Sequence, residues 1–196
     1  LYLKGRALWN TRTKENMTAA IADFELALAK DPGFALAHVG IADCHSMLAA
    51  YGYSPPIIAY PKAKKELQTA LKLNSGISEA HSSLGWVYYN YDWDWENGKR
   101  AFEEALRINP SNPEANRWYS QLLMVNYDPL TLEQINTAIT LTPASPINRF
   151  AHVRLLTAFG NLDEAFNAAE KVTELDPTYF LGPYGKIEVL TLQGKY

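Results

Sequence analysis

The chain has 196 residues, 47% of them hydrophobic, which is too apolar for a disordered chain and ample for a folded one. A formal charge of −3 leaves no electrostatic footprint for nucleic acid, and the one cysteine, Cys44, excludes an internal disulfide. The most apolar stretch, Phe34 to Tyr53, is interrupted by His38, Asp43 and His45, so it reads as a buried amphipathic helix and no spanning helix or signal peptide is expected. In chain order, the periodicity and breakers predict helices over 1–10, 16–30, 35–49, 56–73, 78–90, 95–108, 113–125, 130–141, 146–159, 163–175 and 180–193. Every second helix ends on the same cadence, closing at Pro32, Ser75, Pro110, Pro143 and Pro177, at intervals of 43, 35, 33 and 34 residues.

Self-similarity near this period predicts a solenoid of helical hairpins. Five residues before each close stands a small side chain, Ala27, Ala70, Ala105 and Ala138, with Val172 the exception. Eight before it stands a larger one, Phe24, Leu67, Phe102 and Ile135, but Ala169 in the last repeat. Twelve before it the chain is small again, at Ala20, Ala63, Gly98, Thr131 and Ala165. Small residues at helical spacing let backbones approach, and the large residue fills the adjoining gap. A proline at the close cannot continue the helix and drives its predecessor out of the helical region. Gly160-Asn161 and Gly194-Lys195 are expected to form left-handed turns inside two hairpins. The expected fold is all-α: a right-handed superhelical solenoid of five antiparallel hairpins and one unpaired helix. It is expected to be a single array, with repeats near 1–32, 33–75, 76–110, 111–143 and 144–177 and a partial one at 178–196.

Glu79-Ala80-His81-Ser82-Ser83-Leu84-Gly85-Trp86-Val87-Tyr88, followed by Ala101-Phe102-Glu103-Glu104-Ala105-Leu106 and Asn109-Pro110, resembles the tetratricopeptide repeat (TPR) pattern. Asn161-Leu162-Asp163-Glu164-Ala165 is similar to that family's turn between helices. The resemblance covers essentially the whole chain and implies protein or peptide recognition without catalysis or cofactor. A narrower likeness lies in Ala7-Leu8-Trp9-Asn10, Tyr51-Gly52-Tyr53-Ser54-Pro55-Pro56, Ala59-Tyr60-Pro61-Lys62-Ala63 and Tyr91-Asp92-Trp93-Asp94-Trp95. These resemble a bacterial subgroup whose repeats follow a winged-helix, adenylate cyclase or kinase domain, which implies a regulatory or signalling context. Ser54, and Ser75 where proline is usual, depart from it.

The start at Leu1 in mid-helix and the stop at Gly194-Lys195-Tyr196 are read as marks of a piece of a longer protein. The cytoplasm is the expected compartment, with the periplasm open if the full protein carries an anchor. No membrane or nucleic-acid contact is expected of this segment.

In such repeats the first helices line the concave face, so their polar and aromatic residues outside the packing phases are candidate contacts. These are Tyr2, Arg6, Trp9, Asp43, Met47, Trp86, Tyr89, Asn90, Arg117, Gln121, Phe150, Arg154, Tyr184 and Glu188. Trp86, Tyr89, Asn90, Arg117 and Gln121 are expected to form one patch, since Trp, Tyr and Arg dominate binding hot spots. The alternative is that these side chains simply pack between hairpins. Capture of chaperone C-termini is not expected: the matching phases hold Tyr2, Arg6, Gly40, Glu79 and Ser83, and Glu79 repels a carboxylate.

Asp94 is expected to cap the second helix of the third hairpin, with Trp93 and Trp95 on opposite sides of the turn. Either the turn is packed and structural or its aromatics form an exposed docking knob. The longer turn from Ala49 to Pro61 is either a binding loop or the product of lengthened helices, with a kink or restart at Pro61. His38, His45, His81 and His152 show no metal-ligand spacing, and no phosphate loop, nucleophile elbow or dinucleotide fingerprint is present. The chain is therefore expected not to be an enzyme. A homodimer through the unpaired last helix, whose face includes Leu181, Ile187 and Leu190, is the second expectation. An accessory domain of a cyclase or kinase is the third.

Overall fold

A computed structural model describes residues 1–179 and 181–195. Among them lie eleven α-helices and no strand: α1 (Tyr2–Asn10), α2 (Lys14–Lys30), α3 (Ala35–Ala50), α4 (Pro56–Leu73), α5 (Ser78–Val87), α6 (Trp95–Ile108), α7 (Pro113–Met124), α8 (Leu130–Leu141), α9 (Pro146–Ala158), α10 (Leu162–Leu175) and α11 (Leu181–Leu192). The fold is all-α and made of helix hairpins, as expected. It divides into two compact units, residues 1–110 with α1 to α6 and residues 111–196 with α7 to α11. No helix among the described residues is long and apolar enough to cross a membrane.

The closing cadence stops each second helix in much the same backbone conformation. Asp31, Asn74, Asn109, Thr142 and Asp176 leave the helix in an extended or near-extended conformation, which the following proline enforces at four of the five. Asn74 is followed by Ser75 and still turns out, because its side-chain oxygen accepts from the Gly76 N–H at 2.9 Å. Asp31 does the same for Gly33 at 3.0 Å.

A left-handed residue follows each first helix and the last one, α11: Arg12, Gly52, Trp93, Tyr127, Gly160 and Gly194, with φ from 52° to 79°. At Gly160 the Asn161 N–H donates back to the Leu156 carbonyl at 2.9 Å, and Lys195 does the same to Leu190. Half of these turns lack glycine, so Arg12, Trp93 and Tyr127 each hold a conformation that costs an L-residue about 1–2 kcal/mol.

The packing phases are the interior of both units. In the first, Ala20, Phe24, Ala63, Leu67, Ala70, Phe102 and Ala105 are 0% exposed. In the second, Thr131, Ile135, Ala138, Ala165, Ala169 and Val172 are equally sealed. The two exceptions of the last repeat compensate each other, since Ala169 and Val172 exchange the large and small positions. Phe24 shows what the small residues do. A Cβ on Gly5 of α1 would stand 2.6 Å from its Cε1, and one on Gly40 of α3 would stand 2.6 Å from its Cε2. The outer end of the ring is thus held between two helices that only glycine lets come so close. Phe102 meets Gly85 of α5 in the same way, at 2.9 Å.

Three local expectations are corrected. The helix predicted over 78–90 changes character after Val87: Tyr88–Asp92 form a π-helical turn, one residue wider than an α-turn, so Tyr89 and Asn90 stand on π and not α geometry. Trp93 and Trp95 are not on opposite sides of the next turn, for their ring centroids are 6.3 Å apart. Asp94 does cap α6, accepting from the Asn97 N–H at 3.1 Å. Nor does α4 restart at Pro61. It continues, and the Ile57 carbonyl that loses its donor there belongs to a residue 74% exposed, where water replaces the bond at small cost. The extra residues of the second hairpin lie in helix, with 16 residues in α3 and 18 in α4 against 12 in α7 and 12 in α8.

Candidate functional site

Three first helices of the first unit, α1, α3 and α5, are joined by one buried carboxylate. Asp43, 4% exposed in mid-α3, accepts from Arg6 Nη1 of α1 at 2.7 Å through one oxygen. Its other oxygen accepts from Ser83 Oγ of α5 at 2.5 Å. A buried carboxylate demands such pairing, and here its two oxygens are divided between two neighbouring helices. The guanidinium carbons of Arg6 and Arg12 lie over the Trp9 ring at 4.2 and 3.4 Å, and that ring is 0% exposed. Burial and the adjacent Asp43 charge push the Cys44 thiol well above its ordinary value, so it stays protonated and is no nucleophile. Of this cluster, Arg6 keeps a quarter of its side chain in solvent.

A second group forms where α5 passes into its π-helical turn. Trp86 and Tyr89 have ring centroids 6.0 Å apart, and the Asn90 side-chain amide donates to the Trp86 carbonyl at 3.2 Å. Trp86 is 9% exposed, whereas Tyr89 and Asn90 are half-buried. Behind them Tyr91 stacks on the buried Tyr60 at 5.0 Å, and burial pushes the Tyr60 hydroxyl up to about 12. Lys64 of α4 pairs with Asp92 at 2.5 Å and lies 5.1 Å from the Tyr88 ring. The π-turn thus carries both Tyr89, beside Trp86, and Tyr91, against Tyr60 of α4.

The predicted residues thus fall into distinct sets. Arg6, Trp9 and Asp43 come together, with Ser83 and Arg12 added. Trp86, Tyr89 and Asn90 come together around the π-turn. Met47 is 5% exposed and belongs to the interior. Arg117 and Gln121 lie in the second unit, where Arg117 is 5% exposed with its guanidinium 5.1 Å from the Trp118 ring, and Gln121 is half-buried. Arg154, also in the second unit, is exposed, and Phe150 and Tyr184 have centroids 6.4 Å apart. Ser83 and Arg12 join the cluster though neither was a candidate contact: Ser83 is small, and Arg12 lies beyond the end of α1. Arg12 had a signal in its place three residues after Trp9 at a helix end.

Chemically, this face offers hydrogen-bonding and stacking groups: a partly open guanidinium, a phenol and an amide. Among the described residues no three of His, Cys, Asp and Glu stand close enough to hold a metal ion.

No family model matches the sequence, and no curated protein matches it either. Solved structures do match. A thermophilic TPR protein of Thermus thermophilus aligns over 97% of both chains with a TM-score of 0.75 at 18% identity. YrrB, described as a TPR protein with an unusual peptide-binding site, aligns over 88% of this chain and 84% of its own, with a TM-score of 0.53 at 23% identity. A human IFIT1 dimer with m7Gppp-AAAA aligns over 94% of this chain but 44% of its own, with a TM-score of 0.79 at 19% identity. At such identities the likeness establishes the fold, a TPR-like array of helix hairpins.

Proposed function

We propose that this chain is a non-catalytic interaction module that holds an extended or helical segment of a protein partner against its first-helix face. The observation that supports it best is the Arg6–Asp43–Ser83 linkage. It fixes three first helices side by side and leaves a guanidinium part-exposed on the same set of helices that leads into Tyr89 and Asn90. Rigid helices carrying part-exposed aromatic and polar groups suit a peptide, whose backbone amides need partners along its length. Arg6, Tyr89 and Asn90 are the proposed contacts of the first unit, and Gln121 and Arg154 those of the second. Trp9, Asp43, Met47 and Trp86 are the buried residues behind the contacts of the first unit, and Arg117 is buried within the second. YrrB's peptide-binding site supports a peptide ligand. A nucleic-acid ligand such as the m7Gppp-AAAA seen with IFIT1 is disfavoured here by the formal charge of −3. The likeness to the bacterial subgroup supports a role within a regulatory or signalling protein, whether linked to a winged-helix, cyclase or kinase domain.

The test is selection of peptides from a random library on the immobilised chain, followed by titration. Tyr89→Ala with Asn90→Ala should weaken the selected peptides by about tenfold or more, while the melting temperature stays near wild type. Peptides that bind both proteins equally well would remove the first-helix face from the proposal.

Self-association is the second reading, favoured by one observation. On α11, Tyr184 is 56% exposed, Ile187 64% and Leu192 58%, an apolar face that a second copy would cover. Leu181 does not belong to that face, because it packs against the interior formed by Phe150, Val153 and Val172. Sedimentation should show a dimer that Ile187→Glu dissociates. A monomer throughout the accessible concentration range excludes it.

A further inference from the structure

The turn between the π-turn and α6 holds the most exposed tryptophan of the chain. Trp93 is 74% exposed and Trp95 39%, with ring centroids 6.3 Å apart and planes inclined by 46°. Trp93 sits at φ 56°, in a conformation that glycine supplies at Gly52, Gly160 and Gly194. A ring so exposed gains little from its own chain in return. Carboxylates alternate with the rings along the backbone: Asp92, Asp94 and Glu96.

We propose that the Trp93–Trp95 pair is a seat for an arginine side chain of a partner segment, a contact separate from the first-helix face. The chain itself contains arginine–indole contacts, the tightest of them at Arg12. At the tip of the first hairpin the left-handed residue is Arg12, and its guanidinium lies 3.4 Å from the Trp9 ring centre. At the tip of the third hairpin the left-handed residue is a tryptophan, and among the described residues no cation lies over its ring or that of Trp95. A cation over an indole face is attracted by the ring quadrupole, and the planar guanidinium stacks better than an ammonium.

Charge selects among ligands. Lys64 engages Asp92 at 2.5 Å, and Arg100 engages Glu96 at 2.9 Å in a pair exposed enough for water to screen it. Asn97 holds the Asp94 carboxyl below its ordinary value, so it remains an anion. Asp94 lies between the two rings in sequence and is engaged by Asn97 rather than by a cation, so it is the carboxylate that an incoming guanidinium meets. An anionic membrane surface would be repelled by it, and an apolar or proline-rich segment would leave it unused.

The test titrates the whole chain with a hexa-arginine peptide, with hexa-citrulline as the uncharged control. Hexa-arginine should bind and hexa-citrulline should not. Trp93→Gly and Trp95→Ala should each weaken binding by roughly fivefold or more. Trp93→Gly should melt no lower than wild type, because it removes the ring and relieves the backbone together. Unchanged affinity in Trp93→Gly, no binding by the wild type, or a clear fall in melting temperature on Trp93→Gly would each overturn the proposal. The last outcome would make the ring a packing residue. Wild-type binding to phosphatidylserine vesicles that Trp93→Gly abolishes would assign the pair to a membrane and also overturn it.

Discussion

Phe24→Ala lowers the free energy of unfolding by about 3–5 kcal/mol, measured by denaturant titration, and is the most damaging single truncation expected in the first unit. The ring is 0% exposed and its outer end closes on both Gly5 and Gly40. Removing it opens a gap that spans the α1–α2 and α2–α3 packing at once, and neither glycine has a side chain with which to refill it. The opposite change is also costly. Gly40→Ala places a methyl 2.6 Å from the ring, far inside contact distance, so the ring or a helix must move. In a Phe24→Ala background the same alanine should be tolerated or favourable. A sign reversal of that kind is the mark of direct contact. If Phe24→Ala costs less than about 1 kcal/mol, the ring is not the clamp described.

Asp43→Ala is expected to cost about 2–4 kcal/mol, since it leaves an arginine and a serine without the carboxylate between them. The figure sits below that for a fully enclosed pair, because water reaches Arg6 and takes over part of the lost bonding. Asp43→Asn should be milder, as an amide oxygen still accepts from Ser83. Asp43→Ala combined with Arg6→Met should recover part of the loss, because the stranded cation is removed with its partner. Equal stability of the single and double variants would show that Arg6 is satisfied by solvent alone.

Much of the scaffold was legible before any coordinate. The limits of α4 and α6 follow from the cadence at their ends and from Pro56 and Asp94 at their starts, and both agree with the expected residues. Gly160 and Gly194 announce left-handed turns because glycine favours that region and other residues do not. For the same reason Trp93 and Tyr127 gave no signal, as a strained aromatic looks like any other in a sequence. The π-turn at Tyr88–Asp92 was hidden too, since a single extra residue in a helix leaves the apolar pattern on both sides intact. The candidate site was legible in identity more than in depth. Asp43 and Arg117 are charged, and periodicity assigns charged groups to water, yet the structure encloses both. The burial of Asp43 depends on partners from other helices, Arg6 and Ser83, and no local pattern specifies those. The division after Pro110 is invisible for a related reason, because the repeat interval does not change there.

The shared carboxylate of Asp43 bears on where this chain can be cut. Repeat arrays are usually treated as stackable bricks, each interface independent of the next. Here one side chain belongs to two interfaces, with Arg6 on one flank and Ser83 on the other. Deleting the first hairpin would remove more than its own contacts. It would uncover a negative charge in the second hairpin and expose the Gly40 side of the slot that Phe24 fills. A shortened version of the chain that starts at the second repeat therefore inherits a defect at its new end, and a minimal fragment has to keep the first hairpin or replace Asp43.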